Sequence, residues 1–176
     1  MQEKMKILIT EEQIVERVKE LGATISQDYK GEVLTLVCIL KGGVVFTVDL
    51  AKVLDIDVEL EFLEVSSYGN SRVSSGIVKI NKDLDSAITG KNVLVVEDVI
   101  DSGRTLVHIM RHLEAQQPKS LKVCTFLDKP SRRESNTMMP DYTGFTIKDE
   151  FVIGYGLDNA QKCRNLPYIA VLEYEK

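Results

Sequence analysis

The chain has 176 residues, of which 44% are hydrophobic and 28% charged, and its net charge is −5. That size suits one hydrophobic core and not comfortably two, so a single domain over 1–176 is expected. The composition excludes a disordered or fibrous chain, and the acidic balance argues against a nucleic-acid partner.

No apolar run reaches the length of a membrane span, and the opening MQEKMKILIT is too short and too charged for a signal peptide, which predicts a cytoplasmic protein without membrane partners. The three cysteines, Cys38, Cys124 and Cys163, lack C-x-x-C spacing and read as reduced packing residues.

In chain order, Thr10 with Gln13 forms a capping-box pattern, followed by Ile14, Val18 and Leu21 at helical spacing and by Gly22 as a stop. EVLTLVCIL reads as a buried strand, and KGGVVFTVDLAKVL as a loop leading into a helix. VELEFLEV is a strand. SSYGNSRVSSGIVKINKDLDSAITG, rich in Ser, Gly and Asn, suggests a mobile loop or hairpin of the kind that serves as a lid. NVLVVEDV is a second buried strand, TLVHIMRHLEA a helix, and SLKVCTFLD a further strand after Pro118. Strands alternating with helices predict a parallel α/β sheet, whose ligands bind at the carboxyl ends of its strands.

The stretch VLVVEDVIDSGRTL, 93–106, places Glu97, Asp98 and Asp101 at such an end. Crowded acids repel one another and resist desolvation, so they need a reason. Gly103 permits a tight turn into the next helix, where backbone N–H groups and the Ser102 and Thr105 hydroxyls can form an anion pocket. A Walker P-loop is excluded by spacing. Adjacent carboxylates could accept hydrogen bonds from sugar hydroxyls or hold Mg²⁺. The residues alone leave two readings open: a site for a phosphorylated pentose, or two helix-capping aspartates beside a solvated glutamate. His108 and His112, four apart on one helix without a third ligand, read as surface histidines rather than a metal site.

The same stretch resembles the phosphoribosyl-pyrophosphate signature of the type I phosphoribosyltransferases. LKGG (40–43), SSYG (66–69), LDKPSRR (127–133), FVIGYGLD (151–158) and RNLPYI (164–169) are similar to motifs of the hypoxanthine-guanine members. The resemblance implies a parallel-sheet α/β fold flanked by helices, with a small hood built from both chain ends and a flexible lid at about 66–81. It also implies Mg²⁺-dependent transfer of the 5-phosphoribosyl group to N9 of hypoxanthine or guanine, and assembly as a homodimer or homotetramer.

Residue by residue, the resemblance implies that Glu97 and Asp98 hold the ribose hydroxyls, directly or through Mg²⁺, and that Asp101 is the proton acceptor beside purine N7. Asp101, Ser102, Gly103, Arg104 and Thr105 would line the 5′-phosphate pocket. Lys41, Gly42 and Arg164 would bind pyrophosphate, with a cis peptide bond before Lys41. Lys129 would donate to the 6-oxo group, Phe151 stack on the base, Val152 offer backbone groups to its edge, and Asp158 hold a second Mg²⁺ beside it. Ser67 and Tyr68 would belong to the lid. Asn159 stands where the family commonly carries an aromatic. Two alternatives remain from the sequence: a xanthine-preferring homologue, and an RNA-binding attenuator on the same scaffold.

Overall fold

Residues 3–67, 78–134 and 137–174 are described by the structure, a computed structural model. The strands are β1 (Glu3–Ile9), β2 (Leu34–Leu40), β3 (Val58–Ser67), β4 (Val78–Lys82), β5 (Asn92–Ile100), β6 (Ser120–Asp128), β7 (Tyr142–Thr146), β8 (Val152–Ile153) and β9 (Ile169–Tyr174). The helices are α1 (Glu11–Asp28), α2 (Val44–Val53) and α3 (Arg104–Glu114). A six-stranded sheet runs in the order β4-β3-β2-β5-β6-β7. Its strands are parallel except for β4, which pairs antiparallel with β3 at one edge.

The two apolar runs at the centre of the sheet are buried on both faces, as parallel strands covered by helices must be. Leu36, Leu94 and Val96 pack with α1 and α2 residues such as Ile14 and Phe46. Val37, Val93 and Val95 pack on the opposite side with Leu106, Ile109 and Leu113 of α3. A second sheet, β1-β9-β8, is antiparallel and draws its strands from both ends of the chain. Tyr155, just after β8, meets Phe126 of β6 with ring centroids 4.7 Å apart, and Phe46 lies 5.2 Å from the same ring. Each such pair adds about 1 kcal/mol beyond the area it buries, and the Tyr155–Phe126 pair ties the end of β8 to the first sheet.

The capping box forms as expected: the Gln13 N–H donates to Thr10 Oγ1 at 3.3 Å, and the Thr10 N–H donates to Gln13 Oε1 at 2.9 Å. The expected stop at Gly22 does not occur, and α1 continues to Asp28. A Cβ at position 22 would stand 2.5 Å from Val53 Cγ2, so this glycine admits α2 rather than ending α1. The apolar spacing also continues to Ile25, which is fully buried. Part of the expected lid, 66–81, is regular: β4 alternates half-buried and exposed residues against β3, and Ser67 pairs with Val78. Tyr68 lies outside the described residues. Cys38 and Cys124 are buried free thiols within strands.

The sheet's connectivity fixes where a ligand can sit. From β2 the chain winds outward to β3, then returns to place β5 on the other side of β2. The order therefore reverses between β2 and β5, and the crevice outside their carboxyl ends is the natural ligand position of such sheets. No described helix is long and apolar enough to cross a membrane.

Candidate active site

Lys41, Gly42 and Gly43 turn directly out of β2, and the Leu40–Lys41 peptide bond is cis. Across the reversal point, Asp98 of β5 presses so closely on Gly42 that a Cβ there would overlap its carboxylate. Gly42→Ala is accordingly expected to displace either the turn or Asp98 and to cut turnover about 100-fold, as displacements near 1 Å do at positioned groups. Circular dichroism should show an intact fold; turnover within twofold of wild type would mean that the two groups move apart freely.

Glu97 and Asp98 are half-buried neighbours. Asp98 Oδ1 accepts the Val99 N–H at 2.7 Å, whereas Glu97 Oε2 is buried without a hydrogen-bond partner among the described residues. Burial first, and then the Asp98 charge beside it, hold the Glu97 carboxyl well above the usual carboxylate range. Burial also raises Asp98, partly offset by backbone N–H groups and by the Arg164 charge. Two hard oxygen donors with an orphaned lone pair suit Mg²⁺, which takes one or two carboxylates and completes its shell with water and substrate oxygens. They equally suit vicinal hydroxyl donors. Among the described residues no three His, Cys, Asp or Glu side chains gather into a metal site, so the remaining ligands would come from substrate and water.

Beyond β5 the chain makes the tight turn the sequence predicts. Gly103 adopts φ +82°, a left-handed conformation that side-chain-bearing residues resist, and α3 begins at Arg104. The first-turn N–H groups of any helix lack intrahelical partners, and here the turn into α3 borders a cavity of about 210 Å³ lined by residues 97–103, Thr105 and Leu106. Ser102 Oγ accepts the Arg104 N–H at 3.4 Å, and Arg104 Nε donates to Glu134 Oε2 at 2.7 Å.

The third acid, Asp101, lines the same cavity and also meets a cation. Ile100 pairs with Asp128 in the β5–β6 ladder, so the next residue of each strand, Asp101 and Lys129, emerges side by side. Lys129 Nζ lies 3.2 Å from Asp101 Oδ1, with the lysine side chain 9% exposed and the aspartate 48%. The Lys129 N–H donates to Ile100 O at 3.1 Å and fixes the start of the turn. Lys129 is thus a buried cation at a strand end and not a surface lysine.

Phe151 is 55% exposed, so it is not a core residue and one face of its ring is available. Val152 is buried in β8, where its backbone pairs with Val171. Asp158 is engaged twice, accepting the Gln161 N–H at 2.7 Å and pairing with Arg164 Nη2 at 3.0 Å. Arg164 Nη1 also donates to Gly156 O at 2.8 Å, and Gly156 packs against the Gly42 carbonyl, which brings Arg164 to the β2 turn. Asn159 exchanges two backbone hydrogen bonds with Lys162, each 3.0 Å long.

Sequence reasoning passed over Asp128, Arg133, Glu134 and Thr137, all of which pack behind the Gly103 turn. The readable signal was an acid closing an apolar strand with an arginine five residues later. His112 Nε2 lies 2.9 Å from Asp83 Oδ2.

A model of the phosphoribosyl transferase domain matches residues 6–160. The chain is 48% identical over 168 residues to a hypoxanthine-guanine phosphoribosyltransferase of Bacillus subtilis, covering 96% of this chain and 93% of that protein. It is 46% identical to a hypoxanthine phosphoribosyltransferase of Buchnera aphidicola, over the full length of both. A crystal structure of a hypoxanthine-guanine phosphoribosyltransferase from Bacillus anthracis superposes with a TM-score of 0.90 at 50% identity, covering 94% of this chain and 97% of that one.

Proposed function

The chain belongs to the phosphoribosyltransferase family and, within it, to the hypoxanthine-guanine phosphoribosyltransferases, and from that premise we propose how its own residues perform purine salvage. The substrates are phosphoribosyl pyrophosphate and a 6-oxopurine, and the products are the purine nucleotide, IMP or GMP, and pyrophosphate. The observation that carries the base assignment is the Lys129–Asp101 pair, 3.2 Å apart at adjacent strand ends. A 6-oxopurine presents its O6 acceptor and N7 on one edge, side by side. Lys129 donates to O6 while Asp101 takes the N7 proton. Adenine would turn an amino donor toward the lysine and is rejected.

N9 forms its bond to C1′ as the C1′–oxygen bond breaks, and the electron pair leaves with pyrophosphate. Asp101 accepts the proton that the base loses. Glu97 and Asp98 orient the ribose hydroxyls, and their negative charge lies where the ribosyl centre becomes positive. The 5′-phosphate rests on the α3 N-terminus from Asp101 to Thr105. Lys41, Gly42 and Arg164 hold the departing pyrophosphate, for which a planar guanidinium is well suited. Mg²⁺, when bound, offsets the charge of the leaving group. Glu97 and Asp98 would hold it, and Asp158 would hold a second ion. Phe151 stacks on the base, Val152 offers backbone groups to its edge, and Ser67 with Tyr68 closes over the reacting centre and keeps water from the ribosyl cation.

We place the enzyme in the cytoplasm, as a homodimer or homotetramer. A groove of about 450 Å³ between α1, α2 and residues 164–167 supports self-association, with Val15 in its lining exposed at 47%. Steady-state turnover of hypoxanthine, guanine, xanthine and adenine with phosphoribosyl pyrophosphate and Mg²⁺ tests the reading. Hypoxanthine and guanine should turn over and adenine should not. Xanthine as the best base would replace the assignment with the xanthine-preferring alternative. A folded protein inactive on every base would favour the RNA-binding one, which the net charge of −5 already disfavours.

A further inference from the structure

Residues 128–134, with Thr137 and Met138, lie behind the phosphate-binding turn. They are tied there by the Lys129 N–H to Ile100 O at 3.1 Å, the Glu134 N–H to Ser102 O at 3.3 Å, and Glu134 to Arg104. Among them is a buried ion pair: Arg133 Nη2 donates to Asp128 Oδ1, with side-chain exposures of 10% and 6%. Arg133 Nη1 donates to Met138 O at 3.4 Å. Arg133 Nε is buried with no partner among the described residues. The same guanidinium reaches the turn itself, because a Cβ at Gly103 would stand 3.4 Å from Nη1 and 2.9 Å from Thr137 Cβ.

A buried ion pair is weak evidence for stability, since desolvating both charges offsets much of their attraction. Its frequent return is geometric, because a forked guanidinium holds fixed directions that a packed aliphatic chain does not. Here those directions run to the end of β6, to Met138 and to the back of Gly103. We propose that Arg133, held by Asp128, is a positioning residue for the 5′-phosphate subsite. It fixes the left-handed turn at Gly103, and with it the direction of the α3 N–H groups, without touching the substrate.

This inference rests on the phosphoribosyl-transfer reading, and the two can fail separately. Two charge-balanced variants avoid leaving a lone buried charge: Arg133→Lys, and the double variant Asp128→Asn with Arg133→Gln. Arg132→Met removes an exposed pair with Asp149 next to Arg133 in sequence and serves as the control. Kinetics and direct binding of IMP and of pyrophosphate would be measured on folded protein. In both test variants the KM for phosphoribosyl pyrophosphate and the Kd for IMP should rise about 10- to 100-fold, the scale of a misplaced binding group. The KM for hypoxanthine and the Kd for pyrophosphate should stay within threefold, and the control should match wild type.

Equal losses for every ligand, phosphoribosyl pyrophosphate KM within twofold of wild type, or failure of both variants to fold would each overturn the proposal. Any of these would make the pair a plain folding element. Inactive wild type would instead overturn the phosphoribosyl-transfer reading.

Discussion

Asp101→Asn is expected to lower kcat by about 10²- to 10⁴-fold, the usual weight of a positioned general base. Asparagine keeps the shape and most of the packing but cannot take the N7 proton. Asp101 also partners Lys129, whose side chain is 9% exposed, so the substitution leaves that cation without its carboxylate. The KM for hypoxanthine is expected to change less than kcat, since Lys129 still reaches the 6-oxo group, and the KM for phosphoribosyl pyrophosphate should stay within a few-fold. Steady-state kinetics on both substrates separates these terms. A kcat within threefold of wild type would remove Asp101 from the proton transfer and leave it a role in holding Lys129.

Removing the charge of the other two acids should act in opposite directions on activity and on stability. In the double variant Glu97→Gln with Asp98→Asn, kcat/KM is expected to fall by about 10³-fold or more, because the ribose and the metal lose their anionic partners. The metal-free protein should meanwhile become more stable by about 1–2 kcal/mol, the increment seen when a functional site is relieved of a destabilising group. That is about 2–8 °C in Tm for a chain of this size. Both carboxyls are pushed up by burial, Glu97 also by its neighbour, and Glu97 Oε2 has no donor among the described residues. Melting curves in the presence of a chelator, beside turnover with Mg²⁺, would test both arms. A less stable variant would mean that the pair is held by protein contacts and not strained toward a ligand.

Much of this site could be read from residues adjacent in sequence. The 93–106 stretch carries strand, turn and helix start in one run, so local pattern sufficed to place Glu97, Asp98 and the Gly103 turn together. Thr10 and Gln13 likewise announce α1 through bonds that span three residues. Position 22 misleads because glycine speaks for two physical causes, backbone freedom and close approach, and only the neighbour Val53 decides between them. The division of the three acids was also out of reach. Nothing local says that Asp98 meets the β2 turn while Asp101 meets Lys129, because that depends on which strand lies on each side of β5. A phenylalanine opening an apolar run, as Phe151 does, suits a core as well as a site, and only its 55% exposure separates the two. β7 and the short β8 lack the long apolar runs that made β2 and β5 legible.

The ladder joining β5 to β6 carries a further consequence. Because Ile100 stands opposite Asp128, the meeting of Lys129 and Asp101, the pair we propose reads the base, is set by hydrogen bonds running back through Val95 and Val123 to Asn92 and Ser120 at the far end of the sheet. A single inserted or deleted residue inside either strand would turn every following side chain to the opposite face. Lys129 and Asp101 would then no longer meet, even with every residue of the binding loops intact. Base recognition is thus written in a reading frame of the sheet, and errors in that frame cannot be repaired by any adjustment of the loops.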